Sequence, residues 1–259
     1  MSLAQADTAH SWQTYQIYQS QQLKLSSSST GHKYTLQVAL PPSYYRDPTR
    51  SFPVLYLLDG YLNFDTTVGI SRWLLRQKGD NALEEFIIVG VDYDYPSSFS
   101  YSEKSNFWFK SRYRDFTPVA TMSDRHGKIP GEASKFYQFI KQQAFPVIEK
   151  KFRALPNKRT LAGYSLGGLF SAYALFEHSE DFDNFLIGDP SLWYAAEPTK
   201  DRVCANGINE GDKCHLSNGI IFDLEKNYAQ SNRDLARKVF LSSNAESPEI
   251  MSFNVKQLV

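Results

Sequence analysis

The residues of this chain best suited to chemistry form the pattern Gly-x-Ser-x-Gly over Gly163–Gly167. The preceding residues Arg159–Ala162 read as a short buried strand, and Leu169–Phe176 is apolar and rich in helix formers. The glycines let the backbone double back without a side chain colliding with the neighbouring strand or helix. The pattern therefore predicts a nucleophile elbow, in which Ser165 attacks an acyl carbon and the backbone N–H of Leu166 faces the developing oxyanion.

Two continuous apolar runs, Val54–Leu58 and Phe86–Val91, predict strands that are covered on both faces, as in parallel sheets. Phe185–Gly188 is predicted as another buried strand and Lys238–Ser242 as one more strand. A helix is predicted over Phe64–Arg76, between the first two. Nearer the N-terminus, residues 12–25 and Lys33–Leu40 show alternating polarity and predict an antiparallel pair joined by a serine-rich turn.

The stretch from Asp92 to Gly131 is polar and aromatic, and we predict one long loop there. An amphipathic helix follows, with apolar residues at helical spacing from Phe136 to Phe152 and a kink expected at Pro146. Strands that alternate with helices after an antiparallel start predict an α/β fold. Its central sheet would be mostly parallel, with antiparallel N-terminal strands and helices on both faces.

Length and composition favour one domain over residues 1–259, with a leader or flexible start at 1–11 and a cap-like insertion at about 194–236. The 28 basic and 28 acidic residues balance, so no nucleic-acid footprint is indicated. No run of about 18 apolar residues is present, so no membrane span is predicted. No nucleotide-binding or metal-binding motif is found, and we predict neither a cofactor nor a metal.

Two pairs of residues leave alternatives open. Asp92 and Asp94 follow a predicted strand and fit either a cation site or a solvated loop. Cys204 and Cys214 enclose a polar loop and fit either a disulfide or two reduced thiols. Together with the leader-like start, the cysteines favour a periplasmic or secreted protein, with the cytoplasm as the alternative.

The chain resembles the α/β-hydrolase fold, and within it the putative esterase family that includes esterase D-like proteins and enterochelin (siderophore trilactone) esterases. The resemblance is carried by Tyr56–Gly60, Arg114–Pro118, Leu161–Phe170 and Asp189–Tyr194. It implies that Ser165 is the nucleophile and that the backbone amide of Tyr61 is the second oxyanion donor. It also implies that Gly60 and Trp193 contact the substrate, a small-molecule ester.

The resemblance implies the chain order serine, acid, histidine for the catalytic residues. Of the five histidines, only His178 and His215 follow Ser165, and His178 lies near the end of the predicted elbow helix. We therefore expect the base beyond Val259, together with a last strand and helix, and His215 is the alternative within the chain. Glu246 follows the last predicted strand and is the candidate acid, with Asp189 second.

Arg112 and Arg114 lie in the predicted long loop over the strand ends, where they would either bind anionic or catecholate substrate groups or form salt bridges. The function predicted is a serine hydrolase that cleaves carboxylic esters through an acyl-enzyme on Ser165. The alternatives are an acyltransferase of the same fold and a binding protein that keeps the fold without the chemistry.

Overall fold

The computed structural model describes residues 16–77, 83–123, 127–192, 220–231 and 237–242. The strands within these residues are β1 (Ser20–Ser26), β2 (Lys33–Ala39), β3 (Phe52–Leu58), β4 (Ile87–Tyr93), β5 (Thr121–Ser123), β6 (Gly127–Ile129), β7 (Ala154–Tyr164), β8 (Asn184–Gly188) and β9 (Lys238–Ser242). Seven of them form one sheet in the order β1-β2-β4-β3-β7-β8-β9, and β5 pairs with β6 in a separate hairpin.

The large sheet is mixed, as the sequence predicts. β1, β2 and β4 pair antiparallel, whereas β3 pairs parallel with β4 and β7, and β8 pairs parallel with β7 and β9. The carboxyl ends of β3, β4, β7, β8 and β9 therefore lie at one edge of the sheet. Side chains that follow these strands meet at that edge, where ligands bind in open α/β sheets.

Helices cover both faces of the sheet. They are α1 (Gly60–Leu74), α2 (Tyr101–Asp115), α3 (Ala133–Phe139), α4 (Phe145–Lys151), α5 (Leu166–Glu177) and α6 (Ile220–Ser231). On one face, Phe64 and Val68 of α1 pack in a cluster with Leu55 and Leu57 of β3. On the other face, α5 is buried in a larger core rich in aromatic residues. No helix within the described ranges is both long enough and apolar enough to cross a membrane.

The prediction of one long loop from Asp92 to Gly131 is wrong, because this stretch contains α2 and the β5–β6 hairpin. α2 begins with a capping box in which the Ser100 hydroxyl accepts from the Glu103 amide and the Glu103 carboxylate accepts from the Ser100 amide. The helix has a largely exposed and polar surface, so it lacks the apolar periodicity by which helices are usually found. The cap satisfies amides that would otherwise be left without partners at the helix start.

The helix predicted from Phe136 to Phe152 contains a π-helical segment, Ile140–Ala144, between α3 and α4 and directly before Phe145 and Pro146. Proline has no N–H to donate to the preceding turn, and its ring crowds the carbonyl four residues earlier. The wider turn relieves this conflict, and the Phe145 amide bonds to the carbonyl of Ile140, five residues back.

Of the predicted cap-like insertion at about 194–236, only α6 is described. α6 packs against α5, with the rings of Tyr228 and Phe176 5.8 Å apart. The cap itself stays a prediction. Trp193, Cys204, Cys214, His215 and Glu246 lie outside the described residues.

The start of α5 approaches β8 closely. A Cβ atom on Gly168 would lie 2.7 Å from the carbonyl oxygen of Gly188 and 3.0 Å from Cα of Pro190. Both neighbours are backbone atoms, so they have little freedom to move away. A glycine is therefore required here for packing, although it weakens the helix intrinsically.

We expect Gly168→Ala to lower the free energy of unfolding by about 1–3 kcal/mol, as overpacking does. The matched control is Gly69→Ala in α1, where an added Cβ meets nothing within 4 Å. That substitution should instead raise the free energy of unfolding by about 0.5–1 kcal/mol, through helix propensity alone. Urea unfolding of the two variants measures the difference. An equal rise in the free energy of unfolding of both variants would show that α5 does not approach β8 this closely.

Candidate active site

The turn from β7 to α5 has the strained geometry of a nucleophile elbow. Ser165 lies at φ 57° and ψ −118°, a region that non-glycine residues rarely occupy. A Cβ atom on Gly163 would lie 2.2 Å from the carbonyl oxygen of Gly167, so no side chain fits there. Such a backbone conformation costs about 1–3 kcal/mol and persists only where the surroundings enforce it. The strand–turn–helix predicted around Ser165 is thus confirmed.

β8 holds this turn in place. The Ser165 amide donates to the Gly188 carbonyl at 2.9 Å, and the Ser165 carbonyl accepts from the Ser191 amide at 3.1 Å. The Ser165 hydroxyl lies 3.3 Å from the Ser191 hydroxyl. Leu166 is the first residue of α5, so its amide belongs to the helix start, where amides have no partner within the helix.

A second tight turn joins β3 to α1 at the same edge. Asp59 adopts the left-handed conformation, with φ 56° and ψ 49°, and Gly60 and Tyr61 are the first two residues of α1. A Cβ atom on Gly60 would lie 2.5 Å from Oε1 of Gln37 and 3.3 Å from Cβ of Asp92. Residues of β2 and β4 therefore enclose Gly60, and this part of the predicted oxyanion turn is buried.

A buried ion pair links the two turns. Arg112, near the end of α2, donates to both carboxylate oxygens of Asp59 at 2.7 and 2.9 Å. Its Nη2 also lies 3.3 Å from the carbonyl oxygen of Tyr164, the residue before Ser165. Arg112 is 5% exposed and Asp59 is 3% exposed, and the guanidinium lies 4.4 Å from the centre of the Trp108 ring. One side chain thus bonds to both turns that carry the predicted oxyanion donors.

Arg114 lies in a separate ion pair. Its guanidinium donates to both oxygens of Asp115 at 2.7 and 2.8 Å, and the Tyr34 hydroxyl donates to the same carboxylate at 2.9 Å. This confirms the salt bridge that the sequence left as the alternative for Arg114. Asp115 is fully buried, so this second pair anchors the end of α2 to β2.

Asp92, the penultimate residue of β4, is buried beside the start of α1. The Tyr95 hydroxyl donates to its Oδ1 at 3.0 Å. Burial raises the pKa of Asp92 to about 7, and the hydrogen bond from Tyr95 partly opposes the rise. Asp94 instead pairs with Lys24 at 2.6 Å. Within the described ranges, no group of three or more His, Cys, Asp or Glu side chains is arranged to hold a metal ion.

The two histidines that the structure describes lie away from Ser165. His178 ends α5, stacked on Tyr137 at 3.5 Å, and burial lowers its pKa to about 4. The twelve residues of α5 place it roughly 18 Å from Ser165. His32 precedes β2, which is three strand spacings, roughly 14 Å, from β7. His10, His126 and His215 lie outside the described residues.

The aromatic residues around Tyr95 pack on one another. The Tyr95 ring lies within 5.6–6.4 Å of the rings of Tyr61, Tyr93 and Phe107. Tyr61 is 48% exposed and lies at the outer side of this cluster. The cluster fills the space between the end of β4 and α2.

Sequence reasoning missed two members of this arrangement, the Asp59 carboxylate as the partner of Arg112 and the Asp92 carboxylate beside Tyr61. A signal for both was present, because each aspartate directly follows or ends a continuous apolar strand at the edge where the elbow emerges. The capping pattern Ser100-x-x-Glu103 was a further signal that Arg112 lies on a helix.

Comparison with known proteins agrees with this arrangement. Residues 27–202 match the Esterase family, described as "Putative esterase". The chain is 28% identical over 178 residues to the ferri-bacillibactin esterase BesA of Bacillus subtilis, covering 64% of this chain and 55% of that protein. It is 38% identical over 148 residues to a siderophore enterobactin esterase of Emericella nidulans, covering 56% of this chain and 48% of that protein.

The chain thus spans about half the length of these curated relatives. The crystal structure of the BES protein from Bacillus cereus superposes with a TM-score of 0.70 at 27% identity, over 93% of this chain and 79% of that chain. The family match covers more than half of the sequence and includes both tight turns at the carboxyl edge. This chain belongs to the Esterase family, and its fold is that of the α/β serine hydrolases.

Proposed function

We propose that this protein hydrolyses carboxylic esters through an acyl-enzyme on Ser165. The observation that carries the proposal is the strained conformation of Ser165 at the β7–α5 turn, which a surface serine would not need. Membership of the Esterase family supports the same reaction. The partner is a small-molecule ester, and no cofactor enters the proposed reaction.

In the proposed mechanism, the Ser165 hydroxyl loses its proton to a base as its oxygen attacks the ester carbonyl carbon. The amides of Leu166 and Tyr61 stabilise the oxyanion of the tetrahedral intermediate. The alcohol leaves with the proton held by the base, and water then releases the acid and regenerates the serine. We place the base, a histidine, outside the described residues, with His215 the candidate within the chain, and Glu246 as the acid that orients it.

The relatives support a proposal for the substrate class. Both curated relatives named above are siderophore esterases, acting on bacillibactin or enterobactin by name. We propose siderophore esters as the first substrates to test, with Trp193 as a candidate substrate contact, because Gly60 is enclosed and Arg114 is paired with Asp115. Hydrolysis of enterobactin, followed by chromatography of the products, tests this assignment separately from the general esterase activity.

Arg112 has a different role in this proposal from the substrate contact that its position suggested. Its guanidinium is buried and makes hydrogen bonds to Asp59 and to the Tyr164 carbonyl. We therefore propose that Arg112 is a positioning residue. It fixes the turn that carries Tyr61 relative to the turn that carries Leu166, and so sets the spacing of the two oxyanion donors.

The nucleophile is tested with a fluorophosphonate probe. The protein should be labelled, Ser165→Ala should not, and turnover of p-nitrophenyl butyrate should fall by a factor on the order of 10⁶ in the variant. Ser191→Ala tests the neighbouring hydroxyl, and peptide mass spectrometry of that variant should still locate the label on Ser165. Labelling that persists in Ser165→Ala would sink the assignment.

The positioning role of Arg112 is tested by separating stability from turnover. Arg112→Met leaves the Asp59 carboxylate buried without its partner and should lower the free energy of unfolding by about 3–5 kcal/mol. The double variant Asp59→Leu/Arg112→Met removes both charges and should recover most of that stability. Its kcat should nevertheless stay about 10²–10³ lower, with KM nearly unchanged, because a displaced oxyanion donor affects only the transition state.

Kinetics and urea unfolding on the parent and both variants provide these values. Recovery of kcat together with stability in the double variant would show that Arg112 only stabilises the fold. A rise in KM with kcat unchanged would instead support direct contact between Arg112 and the substrate.

A further inference from the structure

A second serine lies beside the proposed nucleophile, on the segment that follows β8. The Ser191 hydroxyl is 3.3 Å from the Ser165 hydroxyl, and Ser191 is 5% exposed. The backbones of the two residues are also bonded, because the Ser191 amide donates to the Ser165 carbonyl at 3.1 Å. Two separate contacts therefore hold Ser191 against the residue that attacks the ester in the proposed reaction.

The segment that carries Ser191 is packed and bonded along its length. At its start, Asp189 has a φ of 37°, and its amide donates to a carbonyl of β9 at 2.7 Å. At its end, Leu192 is buried in the larger core. Between them, Cα of Pro190 would lie 3.0 Å from a Cβ on Gly168, so the segment lies directly against α5. The Ser191 hydroxyl is thus held in a fixed place beside the start of α5.

The direction of the hydrogen bond between the two hydroxyls follows from burial. A hydroxyl group has one proton to donate, and a buried hydroxyl needs an acceptor for it. Within the described ranges, Oγ of Ser165 is the one partner of the Ser191 hydroxyl. Ser165 is only partly buried, so its own proton can point away from Ser191, towards a base. Ser191 is therefore the donor and Oγ of Ser165 the acceptor.

We propose that Ser191 is a second catalytic serine, whose hydroxyl donates to Oγ of Ser165 while that oxygen carries negative charge. The inference rests on the proposed function, because it takes Ser165 as the nucleophile. Ser191 keeps its own proton throughout and forms no covalent bond to the substrate. Its contribution is a hydrogen bond to the reacting oxygen.

Negative charge develops on the Ser165 oxygen twice in the proposed reaction. In the first step, its proton passes to the base as the oxygen bonds to the acyl carbon. In the last step, water adds to the acyl carbon, the bond to the Ser165 oxygen breaks, and this oxygen recovers a proton from the base. A hydrogen bond to a charged oxygen is roughly twice as strong as one to a neutral oxygen. Ser191 thus stabilises both transition states more than the ground states.

Removing this donor should slow turnover without weakening substrate binding. In Ser191→Ala, kcat for p-nitrophenyl butyrate should fall about tenfold with KM nearly unchanged, because the bond is strengthened only in the transition state. The rate of fluorophosphonate labelling should fall by a similar factor, and labelling should still reach completion on Ser165. Ser179→Ala is the control for loss of a buried serine hydroxyl, since Ser179 is 2% exposed and lies beyond the far end of α5. It should react at the parent rate.

A second pair of variants separates the hydroxyl from the space that it fills. Ser191→Thr keeps the hydroxyl and adds a methyl group, whereas Ser191→Val has a similar branched shape without the hydroxyl. Any displacement of the turn by the added bulk is therefore common to both. The labelling rate and kcat of Ser191→Thr should exceed those of Ser191→Val by about tenfold. Urea unfolding checks that each variant is folded.

Two results would overturn the inference: a labelling rate in Ser191→Ala equal to that of the parent, or equal rates in folded Ser191→Thr and Ser191→Val. If the two branched variants do not fold, the comparison of Ser191→Ala with the parent and Ser179→Ala decides alone. A parent protein that is not labelled at all would overturn the proposed function, and the inference with it.

Discussion

The buried ion pair between Asp59 and Arg112 is the interaction on which the geometry of the candidate site depends. Both charges are almost fully removed from water, and such a burial is costly unless the geometry is good and the remaining donors are satisfied. Here the contact is bidentate, and Nη2 of Arg112 also donates to the Tyr164 carbonyl. The pair connects α2 to the ends of β3 and β7. It can form only when all three elements are correctly placed.

Backbone strain is concentrated at the same edge of the sheet. Asp59, Ser165 and Asp189 are non-glycine residues with positive φ, and each directly follows a parallel strand, β3, β7 and β8 respectively. Their turns are cross-linked, because the Ser165 amide bonds to Gly188 and the Asp189 amide bonds to Ser242. The packed sheet beneath enforces conformations that each turn would not adopt alone. The packed core thereby keeps the three strained turns in fixed positions at the edge of the sheet.

The sheet and the elbow were predictable from the sequence because their signals are local. Continuous apolar runs mark β3, β4 and β8, and the glycines around Ser165 mark a turn that admits no side chains. α2 was missed because its polar surface masks helical periodicity, although its capping box was visible at Ser100 and Glu103. The partner of Arg112 could not be read from the sequence, since Asp59 is 53 residues away and only the folded sheet brings them together.

The position of Asp92 beside the start of α1 has a consequence for how this protein could be re-engineered. A helix whose first residue packs this closely against another strand does not fold independently of that strand. Grafting the β3–α1 segment of a relative into this chain would replace Gly60 and Tyr61 without replacing the residues they pack against, Asp92 on β4 and Tyr95 just after it. Successful chimeras should therefore exchange both strand ends together, and crossover points between Leu58 and Asp92 should be the least tolerated in this half of the sheet.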